Sequence, residues 1–189
     1  RIEHSDQTTR MLLRSGTVFL PSGRTAEASD GVMVIQPEDE NGLVGADVSV
    51  RVRGTAAALG EIIAYRPINA MQYRAYDPDD LSGNVDAQIA IGLFLNGGED
   101  GPRPDWTVDM DLSDAAIAEP VDGSLLTGLN GAVSVTPARA ELDLTGAIDG
   151  LPAEIAMTIP FASDVEAARS ITLRLDDASR ETFAPEIGR

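Results

Sequence analysis

Asp47-Val48-Ser49-Val50-Arg51-Val52-Arg53 decides the fold: its valines fall on one side of an extended chain and its polar residues on the other. A helix would scatter those valines around its axis, whereas a two-residue period suits a strand with one covered and one wet face. The period returns at Val85, Ala87, Ile89, Ile91 and Leu93, with Asn84, Asp86 and Gln88 opposite. It returns again at Trp106, Val108, Met110 and Leu112, against Thr107, Asp109 and Asp111. Ala140, Leu142 and Leu144 repeat it, then Ile155, Met157 and Ile159, then Ile171, Leu173 and Leu175. Two-faced strands belong to antiparallel sheets, because parallel strands buried on both sides read as unbroken apolar runs. The expected fold is all-β with one short helix, an antiparallel meander forming either a curved groove or an elongated sandwich.

Turn residues support a meander. Asp149-Gly150 separates two alternating runs with the spacing of a two-residue hairpin, and Asn130-Gly131 and Asp30-Gly31 are read as further turns. Residues 37–42 form a polar loop, and 96–104 a longer one rich in Gly and acid. One segment breaks the rhythm: residues 55–65 are rich in helix formers, Thr55 is a suitable N-cap, Leu59, Ile62, Ile63 and Arg66 share helical spacing, and Pro67 ends the run. Asp77-Pro78-Asp79-Asp80-Leu81 reads as a helical turn leading into a strand. The expected layout is one continuous domain: N-terminal strands over 1–54, helix and connector over 55–82, a long meander over 83–177, and the start of a helix over 178–189. The first residue is Arg1 and no leader or long apolar run follows, so the chain reads as a piece of something longer.

Composition narrows the function classes. Hydrophobic residues make up 43% of the 189, enough for a core, while aromatics are only 4%, so that core must be aliphatic. The formal net charge of −17 disfavours nucleic acid and anionic headgroups as docking surfaces. All 14 basic residues are Arg, and the absence of Cys removes disulfides, thiol nucleophiles and thiolate metal sites.

Catalytic constellations are thin. The one histidine, His4, lies near the terminus and lacks the partners of a zinc site or a nucleophile triad. Asp77, Asp79 and Asp80, or Glu99 and Asp100 beside Gly97 and Gly98, could be imagined around calcium, but neither group supplies the ligands of an EF-hand loop. Asp109 and Asp111 could imitate a glycosidase pair, yet Glu141 and Asp143 show the same outward pattern, so a solvated sheet face accounts for all four. Gly128-Leu129-Asn130-Gly131 lacks the spacing and the Lys of a phosphate loop. No catalytic residue, metal or cofactor is therefore expected.

What remains is the apolar face: Val48, Val50, Val52, Val85, Ile89, Ile91, Trp106, Val108, Met110, Leu112, Leu142, Leu144, Ile155, Met157, Ile159, Ile171, Leu173 and Leu175. It is either the closed core of a structural or interaction β-domain, or a long surface that accepts lipid chains.

The order of motifs resembles a known family. Residues 52–95 run strand, Arg53-Gly54, an Ala-rich helix ending at Arg66-Pro67, then Asp77-Pro78-Asp79-Asp80-Leu81-Ser82-Gly83-Asn84-Val85-Asp86-Ala87 and a long alternating strand. Downstream come 108–117, 129–136, 138–146, Gly150-Leu151-Pro152-Ala153 and 171–177, closing on a helix-like 179–187. Over residues 45–187 this is similar to the large AsmA-like proteins of the bacterial envelope, particularly their YhdP branch. The resemblance implies a repeating β-groove, or β-taco, anchored at the inner membrane by parts of the parent protein outside this chain and extending through the periplasm. It also implies a non-catalytic part in outer-membrane biogenesis, moving phospholipids between the two membranes, with acyl chains and the rest of the parent chain as partners.

Overall fold

The computed structural model describes residues 2–5, 8–70, 77–98, 101–121, 123–162 and 167–173. Ten strands follow one another in sequence and in space: β1 (Ile2–Ser5), β2 (Thr8–Phe19), β3 (Thr25–Glu38), β4 (Val44–Thr55), β5 (Leu81–Phe94), β6 (Asp105–Val121), β7 (Ser124–Val135), β8 (Arg139–Ile148), β9 (Leu151–Pro160) and β10 (Ala168–Leu173). Each pairs antiparallel with the next, and the first and last strands form open edges of a single sheet. The all-β meander expected from alternation is therefore the observed architecture. Of its two expected forms, the sandwich would need a second sheet, and every described strand belongs to this one.

The helix α1 (Ala56–Ala64) interrupts the meander between β4 and β5, which nevertheless pair directly from Gly45↔Phe94 to Thr55↔Asn84. Thr55 Oγ1 accepts the Ala58 N–H at 3.2 Å, satisfying one of the orphan donors of the first turn. At the other end Arg66 precedes Pro67, a position that disfavours helical backbone, and Tyr65 already adopts extended angles. Asp77 caps a 3-10 turn over Pro78–Asp80, accepting the Asp79 N–H at 2.9 Å, before the chain enters β5.

α1 lies on the apolar side of the sheet. Its Ala58 and Leu59 join Ala26, Val52, Val85, Ala87, Ile89, Trp106 and Val108 in the main core. Val108 is wholly enclosed. Ala115, Leu129, Leu144, Ala153 and Ile155 form a second, smaller core farther along the same sheet.

Two expected turns are not turns. Asp149-Gly150 does close the β8–β9 hairpin, with φ of 51° and 82° and Ile148 paired with Leu151. Asp30-Gly31 and Asn130-Gly131, by contrast, lie inside β3 and β7. Between Ser29↔Arg51 and Val32↔Ser49, β3 spends one residue more than β4, and Asp30 takes that extra place at φ 53°. A residue at positive φ can reverse the chain or be carried within a strand: at Asp30 it is absorbed as a bulge, whereas Asn130 and Gly131 pair in register with Thr145 and Leu144. The expected helix over 178–189 lies outside the described residues.

Candidate functional site

Register shows what alternation could only suggest about the apolar face. Val48, Ile91 and Trp106 lie side by side on β4, β5 and β6, as do Val50, Ile89 and Val108 one pleat along. Met110 continues through Val133 to Leu142 and Met157, and Leu112 through Gly131 to Leu144, Ile155 and Ile171. Directly paired residues project to one side of an antiparallel sheet, so these residues share a face with Val52, Val85, Ile159 and Leu173.

Sharing a face does not give them one environment. Val85, Trp106 and Val108 are buried in the main core, with Met110 and Leu112 packed against it. Leu144 and Ile155 are buried in the second core, with Leu142 and Met157 at its margin. Ile159 is half-buried, and Ile171 and Leu173 on the edge strand β10 are 51% and 44% exposed. Leu175 lies outside the described residues. Met110, Leu142 and Met157 border one open cavity, and Val48, Val50, Val52, Ile89 and Ile91 border a second.

That cavity, about 520 Å³, is a groove in the size range of small-molecule sites. Val48, Val50, Ile89 and Ile91 contribute its floor; Met11, Leu13, Val18 and Met33 approach from β2 and β3; and Ile62, Tyr65, Arg66, Pro67 and Ile68 form the side supplied by α1 and the segment after it. The floor residues had a sequence signal through alternation, Ile62 and Arg66 through helical spacing, and Pro67 as the end of the helix. The groove-facing residues of β2 and β3 escaped notice, although strands were expected there, because the bulge at Asp30 changes which residues face the groove: Ala28 pairs with Val52, but five residues later Met33 pairs with Val48. An odd step between two same-face residues breaks the alternation that marks a strand.

A charged network ties α1 to that end of the sheet. The Glu61 carboxylate accepts the Ser22 N–H at 3.3 Å, the Ser22 hydroxyl, and Arg24 Nη1 at 3.1 Å. Arg24 also pairs with Asp79 beside the 3-10 turn. The Ser22 hydroxyl, its backbone N–H and Arg24 hold the Glu61 carboxyl below the usual range, against the opposing effect of burial. Asp77 and Asp79 are thus engaged in capping and pairing, and Glu99 and Asp100 lie outside the described residues.

The larger cavity, about 780 Å³, lies over the polar face and is bordered by Arg51, Asp86, Asp109, Asp111, Glu141 and Asp143 among others. Arg51 holds Asp86 through two bonds of 2.7 Å, and Arg53 adds a third at 2.8 Å. Arg51 first, then Arg53, pull the Asp86 carboxyl down to about 2, while burial opposes them. Asp109 accepts the Ser134 hydroxyl at 2.6 Å, and Arg139 pairs with Glu141 at 2.7 Å. Among the described residues no group of three His, Asp or Glu side chains is placed to hold a metal ion. Size alone does not make this cleft the site; its acids belong to the wet face of the sheet, several already paired.

No helix among the described residues is long and apolar enough to cross a membrane. No protein-family model, curated protein or solved structure is significantly similar to the chain.

Proposed function

We propose that this chain is a non-catalytic, lipid-accommodating segment of an AsmA-like protein of the bacterial envelope, its apolar groove receiving phospholipid acyl chains in transit between inner and outer membranes. The groove bordered by Val48, Val50, Ile91 and Met33 carries this reading: these aliphatic side chains are only half-buried, beside a core that encloses their neighbour Ile89. An open apolar trough is costly in water and becomes favourable when an alkyl chain fills it, at about 0.8 kcal/mol per buried methylene. The resemblance of residues 45–187 to that family is what suggests a periplasmic parent protein anchored in the inner membrane, with phospholipid as the cargo.

Lipid extraction and native mass spectrometry of the purified, folded chain test the proposal. Copurified phospholipid, displaced by excess fatty acid, is the expected result. A folded, monodisperse sample that carries no lipid and binds no added alkyl probe overturns it.

A second reading, a structural or interaction β-domain with no ligand, is favoured by the complete enclosure of Val108 and the burial of Val85, Ile89 and Trp106. On that reading the same sheet face serves only as core, and the lipid assays are negative.

A further inference from the structure

Among the described residues, the groove's lining contains a single charged residue, Arg66. In this chain that is unexpected on composition, because 31 acidic residues face 14 basic ones and the formal net charge is −17. No described Asp or Glu borders the groove, and the other polar side chains among its described lining residues are Ser49 and Tyr65. Arg66 and Tyr65 are exposed and follow directly on α1, whereas Ile68, two residues beyond Arg66, is buried. The cation therefore sits where the apolar lining meets water, and it forms no ion pair with any described residue.

We infer that the groove takes an anionic amphiphile, its alkyl chain on the Val48–Ile91 floor and its carboxylate or phosphate head on Arg66. A guanidinium offers a planar donor fork that matches either oxyanion in a bidentate pair, while its stem covers apolar surface. A trough with no charge would accept neutral and charged chains according to area alone, and one fringed with carboxylates would repel an anionic head. This inference rests on the proposed acyl-binding role of the groove and adds the sign of the headgroup and the residue that reads it. Arg66 has a second, purely structural use, since a cation just past a helix C-terminus is favourable there; the test must separate the two.

Displacement of the fluorescent fatty acid cis-parinarate from the full chain, at about 0.15 M salt so that long-range repulsion is screened beyond ~8 Å, makes that separation. The competitors are dodecanoate, dodecyl phosphate, dodecanol and dodecyltrimethylammonium, which share an alkyl chain and differ in the head. Both anions should compete about tenfold better than dodecanol, the effect of one charge-assisted pair, with the cation weakest. Whether carboxylate or phosphate is stronger distinguishes a free fatty acid from a phospholipid headgroup as the source. Arg66→Gln should abolish the preference for anions while retaining dodecanol binding and the wild-type circular dichroism; Arg66→Lys should keep part of it. Equal competition by anion and alcohol in the wild type, or an unchanged anion preference in Arg66→Gln, overturns the headgroup assignment and leaves the groove reading standing. A probe that does not bind the folded chain overturns both. A variant with lowered thermal stability and unaltered headgroup preference assigns Arg66 to the helix terminus alone and likewise rejects the proposal.

Discussion

Glu61 on α1 and Ser22 in the β2–β3 turn are joined twice, the carboxylate accepting both the backbone N–H and the hydroxyl of the serine. The two residues are 39 positions apart, and their contact fixes the helix against the sheet at the end where the groove is walled. A short helix gains little from its own backbone, so its position depends on such tertiary contacts and on the seating of Ala58 and Leu59. Glu61→Ala should lower the thermal midpoint by a few degrees and speed hydrogen exchange in residues 56–64, with Ser22→Ala having the smaller effect. Unchanged exchange in α1 for both variants would show that apolar packing alone holds the helix.

Acid should expose the contribution of Asp86. Its carboxyl is held at about 2 in the folded chain against 3.8 for an ordinary aspartate. A depressed folded value means the group binds protons more readily when unfolded, so its stabilisation is complete above the ordinary value and fades as pH falls towards 2. Asp86→Asn should therefore be less stable than wild type at neutral pH, and the gap should close across that acid window. Urea unfolding at stepped pH measures it; a gap that is independent of pH would mean the side chain acts through its shape and neutral hydrogen bonds.

Two glycines should respond very differently to alanine. Gly83 has φ 93°, and an added Cβ would drive into the Asp114 carbonyl and the Ala115 backbone on β6. Gly83→Ala should cost about 2 kcal/mol or more, because both the dihedral and the strand contact oppose it. Gly150 has a similar φ, 82°, but nothing lies within 4 Å of the added atom, so Gly150→Ala should cost only about 1 kcal/mol. Equal losses in denaturant melts would show that the dihedral, not the close approach to β6, governs both positions.

Charge on the apolar face should be tolerated by position. Val108 is fully enclosed, so Val108→Asp buries an unpaired carboxylate and should cost on the order of 4 kcal/mol, enough to unfold a marginal domain. Val108→Ala should cost about 2 kcal/mol through lost burial and a small cavity. Leu142 is half-buried beside the second core, and Leu142→Asp should leave a folded chain. Circular dichroism with thermal melts separates the three; a folded Val108→Asp would mean water reaches the interior under α1.

The sequence by itself determined the strands, their antiparallel meander, the capped helix at Thr55 and the hairpin at Asp149-Gly150. Each rests on short-range chemistry: a two-residue period, a hydroxyl within reach of the Ala58 N–H, and a pair of residues tolerant of positive φ. Asp30-Gly31 and Asn130-Gly131 carried the same local signal as a turn. Only the registers of β3 against β4 and of β7 against β8 kept them inside strands, Asp30 as a bulge and Asn130-Gly131 in regular pairing with Thr145 and Leu144. The described periodic residues share one face of the sheet, yet alternation reports facing and not covering. Where α1 folds back, Val108 and its neighbours became core; beside it, Val48 and Ile91 remained open; at the β10 edge, Ile171 and Leu173 lay exposed. The β2 and β3 wall of the groove and the placement of Arg66 at its margin likewise depend on residues distant in sequence. Which apolar side chains meet protein and which meet solvent is a property of packing between elements, and no single strand carries it in its own order of residues.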